Sequence, residues 1–183
     1  MWHNLLIVIF CIASSILTGC FLEKSSNDSD VDSEMLFTYV SPLADLYEPK
    51  YFFFDFINNE IDSIMLDTVT SFAAKICHSK DDFICIESEI LTFAVPKANK
   101  LSNLEQWTYK NILFKNRGKI EFKILASSIE VWKIETVSCG FGEPKCKFLY
   151  TPELGLVSFG FFFKDGLNKT YILSGTQGIL ARE

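Results

Sequence analysis

Several residue types are scarce in this sequence, and each scarcity excludes a class of protein. The chain has only 9 glycines and 5 prolines in 183 residues, which excludes collagen-like and low-complexity proteins. Cations are outnumbered, since 17 Lys and Arg residues face 23 Asp and Glu residues and the net charge is −6. Such a chain lacks the excess of positive charge that neutralises nucleic-acid phosphates. We therefore expect no nucleic-acid partner.

Histidine is also rare, and this limits the chemistry that the chain can perform. There are two histidines, and only His78 lies beyond the first few residues. A Ser-His-Asp triad or a two-histidine metal site would have to be built around that one side chain. The nearest approach to a nucleophile elbow is 155–160, GLVSFG, and its spacing is wrong. We expect no catalytic residue, no cofactor and no metal.

No apolar run is long enough to span a bilayer as a helix, and the longest is Leu5 to Leu17. As a helix it would measure about 20 Å, which is short of the ~30 Å hydrocarbon core of a bilayer. This length is typical of a signal peptide. The tetrapeptide Leu17-Thr18-Gly19-Cys20 follows and resembles the lipobox of bacterial lipoproteins. The resemblance implies that 1–19 is a cleaved signal peptide. It also implies that Cys20 becomes the mature N-terminus and carries diacylglycerol and further acylation.

The segment behind Cys20 is polar and predicts a tether over residues 20–34. Residues 23–34 read EKSSNDSDVDSE and cannot bury enough apolar surface to offset the entropy of ordering. We expect a disordered, acidic and serine-rich spacer that holds a single domain, residues 35–183, at a membrane. Phe21 rather than Asp follows the lipidated cysteine, as in lipoproteins that are sorted to the outer membrane. The resemblance therefore implies a lipid-anchored protein that faces the periplasm.

Alternating side chains in the second half of the domain predict antiparallel hairpins. Charged and apolar residues alternate from Arg117 to Ile124, with Glu121 among the charged ones, and Ile129 to Val137 is the expected partner strand. Val157 to Phe163 and Thr170 to Ser174 form another expected hairpin, with its turn at Asp165-Gly166. The fold therefore rests on an antiparallel sheet.

A helix is expected in the first half of the domain. Apolar residues recur at helical spacing within 60–76, which predicts a helix there, although the β-branched run Thr68-Val69-Thr70 favours a strand. The expected fold class is α+β: a single domain dominated by an antiparallel sheet, with at most one or two short helices.

Four cysteines lie in the domain: Cys77, Cys85, Cys139 and Cys146. An even number in an exported domain predicts disulfides, and spacings of C-x7-C and C-x6-C favour the local pairs Cys77–Cys85 and Cys139–Cys146. Crossed pairings stay open. A four-cysteine zinc site is the other alternative, although structural zinc sites favour closer C-x2-4-C spacing.

Two groups of side chains are candidate binding surfaces. The first is a possible apolar groove formed by two phenylalanine runs, Phe52, Phe53, Phe54 and Phe161, Phe162, Phe163. These runs make their strands apolar on both faces, which is unusual when one face meets water. A sheet that is covered on both sides is the alternative interpretation. The second group is a basic strand face that could meet anionic lipid, formed by Lys115, Arg117, Lys119 and Lys123. The alternative for these cations is pairing with neighbours such as Glu130 and Glu135.

Three functions are consistent with these features. The first is a non-catalytic envelope lipoprotein that binds a protein partner or gives structural support. The second is a carrier or binder of lipid or another apolar ligand in the phenylalanine-lined groove. The third is a periplasmic hydrolase, which the scarcity of histidine disfavours.

Overall fold

The computed structural model describes residues 36–42, 49–55, 58–65, 68–77, 82–124, 127–140 and 144–181. The predicted signal peptide, the lipidation of Cys20 and the tether up to residue 34 lie outside the described residues, as does His78. Within the described ranges, no helix is long and apolar enough to span a membrane.

Twelve antiparallel strands form one sheet in the described part of the chain. The first six strands are β1 (Leu36–Val40), β2 (Tyr51–Asp55), β3 (Glu60–Met65), β4 (Thr68–Cys77), β5 (Phe83–Ser88) and β6 (Thr92–Pro96). A helical turn, α1 (Ala98–Leu101), leads to the second six, which are β7 (Gln106–Tyr109), β8 (Ile112–Ile124), β9 (Ser127–Thr136), β10 (Lys145–Thr151), β11 (Gly155–Phe162) and β12 (Asn168–Leu173). Each set of six is a meander of sequential hairpins, and the two sets join where β1 pairs with β12.

The sheet curls until its two ends, β6 and β7, approach each other. The indole Nε1 of Trp107 on β7 donates a hydrogen bond to the carbonyl of Ala94 on β6, at 3.0 Å. A backbone bond of 2.6 Å from the amide of Thr92 to the carbonyl of Cys139 ties β6 to the loop after β9. The architecture is therefore a nearly closed antiparallel barrel.

Aromatic side chains fill the interior of this barrel, which accounts for many of the 18 phenylalanines. Phe52 meets Tyr171 edge-on with ring centroids 4.7 Å apart, and Phe159 stacks on Tyr171 at 5.1 Å. Tyr39 is fully buried, and its hydroxyl donates to the carbonyl of Leu156 at 2.6 Å. Burial raises the pKa of this hydroxyl, although a backbone hydrogen bond from Ile179 opposes the shift. Tyr39 therefore remains a neutral donor in the core.

The α+β prediction is wrong, because 67% of the described chain is strand and only 2% is helix. The helix expected over 60–76 is instead the hairpin of β3 and β4, in which Ile61 lies opposite Phe72. Ile61 and Phe72 matched the helical period, yet they are cross-strand neighbours in a sheet. The β-branched run Thr68-Val69-Thr70 indicated the true structure, since such side chains fit a pleated strand better than a helix.

Both hairpins predicted from alternation are confirmed. Ile120 on β8 lies opposite Val131 on β9, and Phe161 on β11 lies opposite Lys169 on β12. The turn between β11 and β12 uses Gly166 at a φ of +90°, a conformation that glycine adopts without steric cost.

Candidate functional site

An apolar pocket with a volume of about 170 Å³ opens beside strands β2, β11 and β12. It is lined by Pro49, Phe52, Ile90, Pro144, Phe161, Phe163, Lys169 and Tyr171. The rings of Phe52, Phe161 and Tyr171 are buried and belong to the barrel core. The pocket is therefore continuous with the aromatic interior, and Lys169 supplies its one charged side chain.

The two-residue period of side chains along a strand determines which phenylalanines line the pocket. Residues two apart on a strand face the same way, so Phe161 and Phe163 line the pocket together, with ring centroids 6.5 Å apart. The ammonium of Lys169 lies 6.0 Å from the centroid of the Phe163 ring. A cation at this distance can interact favourably with the ring face.

Loop contacts hold the outer walls of the pocket in place. The Cys139–Cys146 disulfide closes the loop that carries Pro144. At Gly140 in this loop, a Cβ atom would lie 2.2 Å from the carbonyl oxygen of Ile90, so only glycine permits the approach. Elsewhere in the lining, the hydroxyl of Tyr171 donates to the carbonyl of Pro49 at 3.0 Å. The walls are therefore preformed.

The six phenylalanines of the predicted groove separate into two groups. Phe52, Phe161 and Phe163 line the pocket, and Phe54 is buried in the adjacent core. Phe53 and Phe162 alternate with them on their strands, and the ring of Phe162 lies 4.2 Å from the ammonium of Lys147. Pro49, Ile90, Pro144 and Lys169 were not predicted, since they lie in loops or at a strand end and meet the phenylalanines only in the folded chain.

The predicted basic face lies on β8, and ion pairs occupy two of its cations. Arg117 binds the carboxylate of Glu135 at 2.9 Å, and Lys119 binds Glu130. Lys133 also contacts Glu135, at 3.3 Å. Burial acts to raise the pKa of Glu135, but the hydrogen bonds and charges of Arg117 and Lys133 outweigh it, so the pKa lies below its ordinary value. The expected pairing with Glu130 and Glu135 is present.

The other two predicted cations, Lys115 and Lys123, differ in their neighbours. Lys115 lies opposite Glu135 in the β8–β9 register, whereas Lys123 is exposed opposite Ser128.

Both predicted disulfides are present, and the first lies in a polar cluster. Cys77 on β4 and Cys85 on β5 are directly opposite residues with Cα atoms 4.8 Å apart. The hydroxyl of Tyr109 lies 3.1 Å from the Cys85 sulfur and donates to Glu87, whose other carboxylate oxygen accepts from Lys110.

Two features of this cluster argue against metal binding and acid catalysis. The ligand atoms of Cys77, Cys85 and Glu87 lie within 4.8 Å of one another, but disulfide sulfurs offer no thiolate to a metal. Burial acts to raise the pKa of Glu87, yet the hydrogen bonds from Lys110 and Tyr109 lower it overall. A carboxyl that acts as a general acid near neutral pH needs the opposite shift.

No protein-family model, no curated protein and no solved structure matches this chain.

Proposed function

We propose that this protein is a lipid-anchored protein of the bacterial envelope that binds a protein partner through its apolar pocket and catalyses no reaction. The lipobox-like segment that ends at Cys20 supports the anchor, with the outer membrane as the expected site. The preformed apolar pocket is the observation that carries the binding role.

The size of the pocket favours a side chain over a whole lipid. At about 170 Å³, it is close to the roughly 150 Å³ cavity that accommodates benzene in another protein. Sites for drug-sized ligands span roughly 300–1,000 Å³. One aromatic or branched side chain of a partner would fill the pocket, whereas the acyl chains of a phospholipid would not fit inside it.

Binding of a small apolar ligand is the second candidate, and the same pocket supports it. The end of one acyl chain could enter between Phe161 and Phe163. A hydrolase gains no comparable support, because the carboxylate of Glu87 has a lowered pKa and is bound by Tyr109 and Lys110.

Ligand titrations on the mature chain, made without its lipid, test the binding role. N-acetyl-phenylalaninamide should shift the NMR signals of Phe163 and Tyr171, and octanoate should shift them less. Phe163→Ser should abolish the shift of Tyr171, whereas Phe162→Ser is the matched control and should retain it. Equal loss in both variants would refute the pocket as the site. A phospholipid that co-purifies in native mass spectrometry would instead support the lipid carrier.

Processing of the precursor tests the anchor separately. Cys20→Ala should yield an uncleaved chain that lacks acyl mass, because lipid attachment requires the thiol. Cys11→Ala lies within the predicted signal peptide and serves as the control, with normal cleavage expected. An unchanged mature mass and unchanged membrane fractionation in Cys20→Ala would refute lipidation.

A further inference from the structure

Strand β4 changes its neighbour partway along its length. Its first residues, from Thr68, pair with β3 on one side, whereas residues from Ala74 onward pair with β5 on the other side. Strand β5 ends at Ser88, which lies opposite Ala74. Within the described ranges, no strand lies along the second edge of residues 68–72. We call residues 68–72 the β4 edge.

The register identifies the backbone groups that this edge presents. Successive residues of an antiparallel strand direct their N–H and C=O groups to alternate edges. The amide of Ala74 donates to the carbonyl of Asn59 at 2.7 Å, and the carbonyl of Thr70 accepts from the Ser63 hydroxyl at 3.4 Å. The backbone N–H and C=O groups of the even-numbered residues of β4 therefore point towards β3. The amides and carbonyls of Val69 and Ser71 face outward, where no described strand meets them.

The β4 edge is exposed and uncharged. Thr68, Val69, Thr70 and Ser71 are all exposed, and the side chain of Val69 is 57% accessible. No charged residue occurs from Thr68 to Ala74. Natural sheets usually protect such edges with lysine, proline or a bulge, and the β4 edge has none of the three. An edge of this kind is suited to pairing with another strand.

We propose that the β4 edge pairs antiparallel with the β4 edge of a second copy of this chain, related by a two-fold axis at Thr70. Val69 of each copy then lies opposite Ser71 of the other, so the four outward backbone groups of each copy are satisfied. Thr70 lies opposite itself, and threonine pairs are favourable cross-strand neighbours. No like charges meet within the paired residues.

The limits of the edge favour a second copy over an unrelated strand. An added strand cannot continue past Ala74, because β5 occupies that side of β4 from there on. In the proposed register, Thr68 of the partner, where its strand β4 begins, lies opposite Phe72, so the paired strands end before the point where β5 meets β4. A two-fold axis repeats this fit at the other end.

This contact is small, and we expect weak association in solution. Interfaces below roughly 1,000 Å² belong to transient complexes. The proposed lipid anchor would confine both copies to one membrane surface and raise their effective concentration. In this respect the inference rests on the proposed function.

Site-specific cross-linking tests the register. Thr70→Cys in the full lipidated chain, reconstituted in phosphatidylethanolamine–phosphatidylglycerol vesicles, should form a disulfide-linked dimer under mild oxidation. Ser71→Cys should cross-link less, since its partner is Val69, and the exposed Ser128→Cys on β9 is the control. Equal cross-linking at positions 70 and 128 would overturn the proposal. Stronger cross-linking at position 71 than at position 70 would overturn the register.

A second substitution tests the backbone contact. Ser71→Pro removes an outward N–H and leaves the ladder to β3 intact, so in the Thr70→Cys chain it should weaken dimerisation about tenfold. Val69→Lys should also weaken it, and Val137→Lys, at a valine that is 63% exposed, should not. Undiminished cross-linking in Ser71→Pro would overturn the proposal. Vesicle flotation before oxidation reveals separately whether the chain is anchored, so failure of the anchor is distinguishable from failure of the edge.

Discussion

Among the described strands, two stretches that pair on one side only are built differently: the β4 edge and the later part of β8. The β4 edge carries no charge and no bulge. On β8, pairing with β7 covers only Ile112 to Lys115, and the later residues pair with β9 alone among the described strands. This second stretch, residues 117–124, is called the β8 edge. It carries three cations, Arg117, Lys119 and Lys123, and its register shifts between Asn116 and Lys119.

The difference indicates which edge can accept another strand. Lysine side chains and bulges are the usual means by which sheets prevent edge-to-edge pairing. The β8 edge combines both, because Gly118 adopts a φ of +83° within the shifted register. The β4 edge has neither, although it belongs to the same sheet. We therefore interpret the β8 edge as protected and the β4 edge as an interaction surface.

Proline substitutions at neighbouring positions of β4 should have the largest effect on stability. Thr70→Pro removes an N–H that faces β3 and should lower the free energy of unfolding by roughly 2 kcal/mol or more. Ser71→Pro removes one that faces outward and should cost less than about 1 kcal/mol, as proline does at solvent-facing edge positions. Urea unfolding of both variants measures the difference. An equal loss in the free energy of unfolding for the two variants would show that the outward backbone groups of the β4 edge are already hydrogen-bonded.

Substitution of Gly118 tests the protection of the β8 edge, with an intermediate effect. A Cβ atom at Gly118 would meet no heavy atom within 4 Å, so the cost of a side chain is conformational. Gly118→Val should lower the free energy of unfolding by about 1–2 kcal/mol, because a β-branched residue resists positive φ. Gly118→Asn is the matched control and should cost less, since asparagine tolerates this region. Equal melting temperatures for the two variants would contradict the conformational explanation.

The smallest expected effect concerns the charges beside the β8 edge. The folded-state pKa of Glu135 lies below its ordinary value of 4.5. Its stabilising contribution is therefore complete above that value and is lost as the pH falls through the lower folded-state pKa. Glu135→Gln should cost no more than about 1 kcal/mol at neutral pH, because the ion pairs are partly solvated.

Thermal unfolding between pH 3 and pH 7 measures this dependence, and the Gln variant should show a flatter profile than the wild type. An identical slope would mean that Arg117 and Lys133 do not stabilise the carboxylate.

Local patterns predicted part of the fold, and their errors have a physical explanation. Alternation predicted the β8–β9 hairpin because one face of β8 carries charged side chains. The β11–β12 hairpin was predicted from Val157, Phe159 and Phe161 at a period of two and from the turn at Asp165-Gly166, although both faces of β11 are buried. Alternation is weaker in 60–76, where Asp62 and Ser63 separate the apolar residues, so a helical period could be matched. Three of the eight lining residues, Phe52, Phe161 and Phe163, were predicted from the two phenylalanine runs. Others, such as Ile90 and Pro144, were not predicted because they lie outside these runs.

The order of residues along the chain specifies which side chains alternate along strands and which cysteines are close enough for local bridges, because both depend on short separations. The curl of the sheet that brings Trp107 to Ala94, and the approach of the loop with Pro144 to Ile90, arise only when distant segments pack together. The exposure of one edge of β4 arises in the same way. A period of two assigns side chains to the faces of a strand, but it does not specify the strand's neighbours. Those are selected by packing and hydrogen bonding between distant segments.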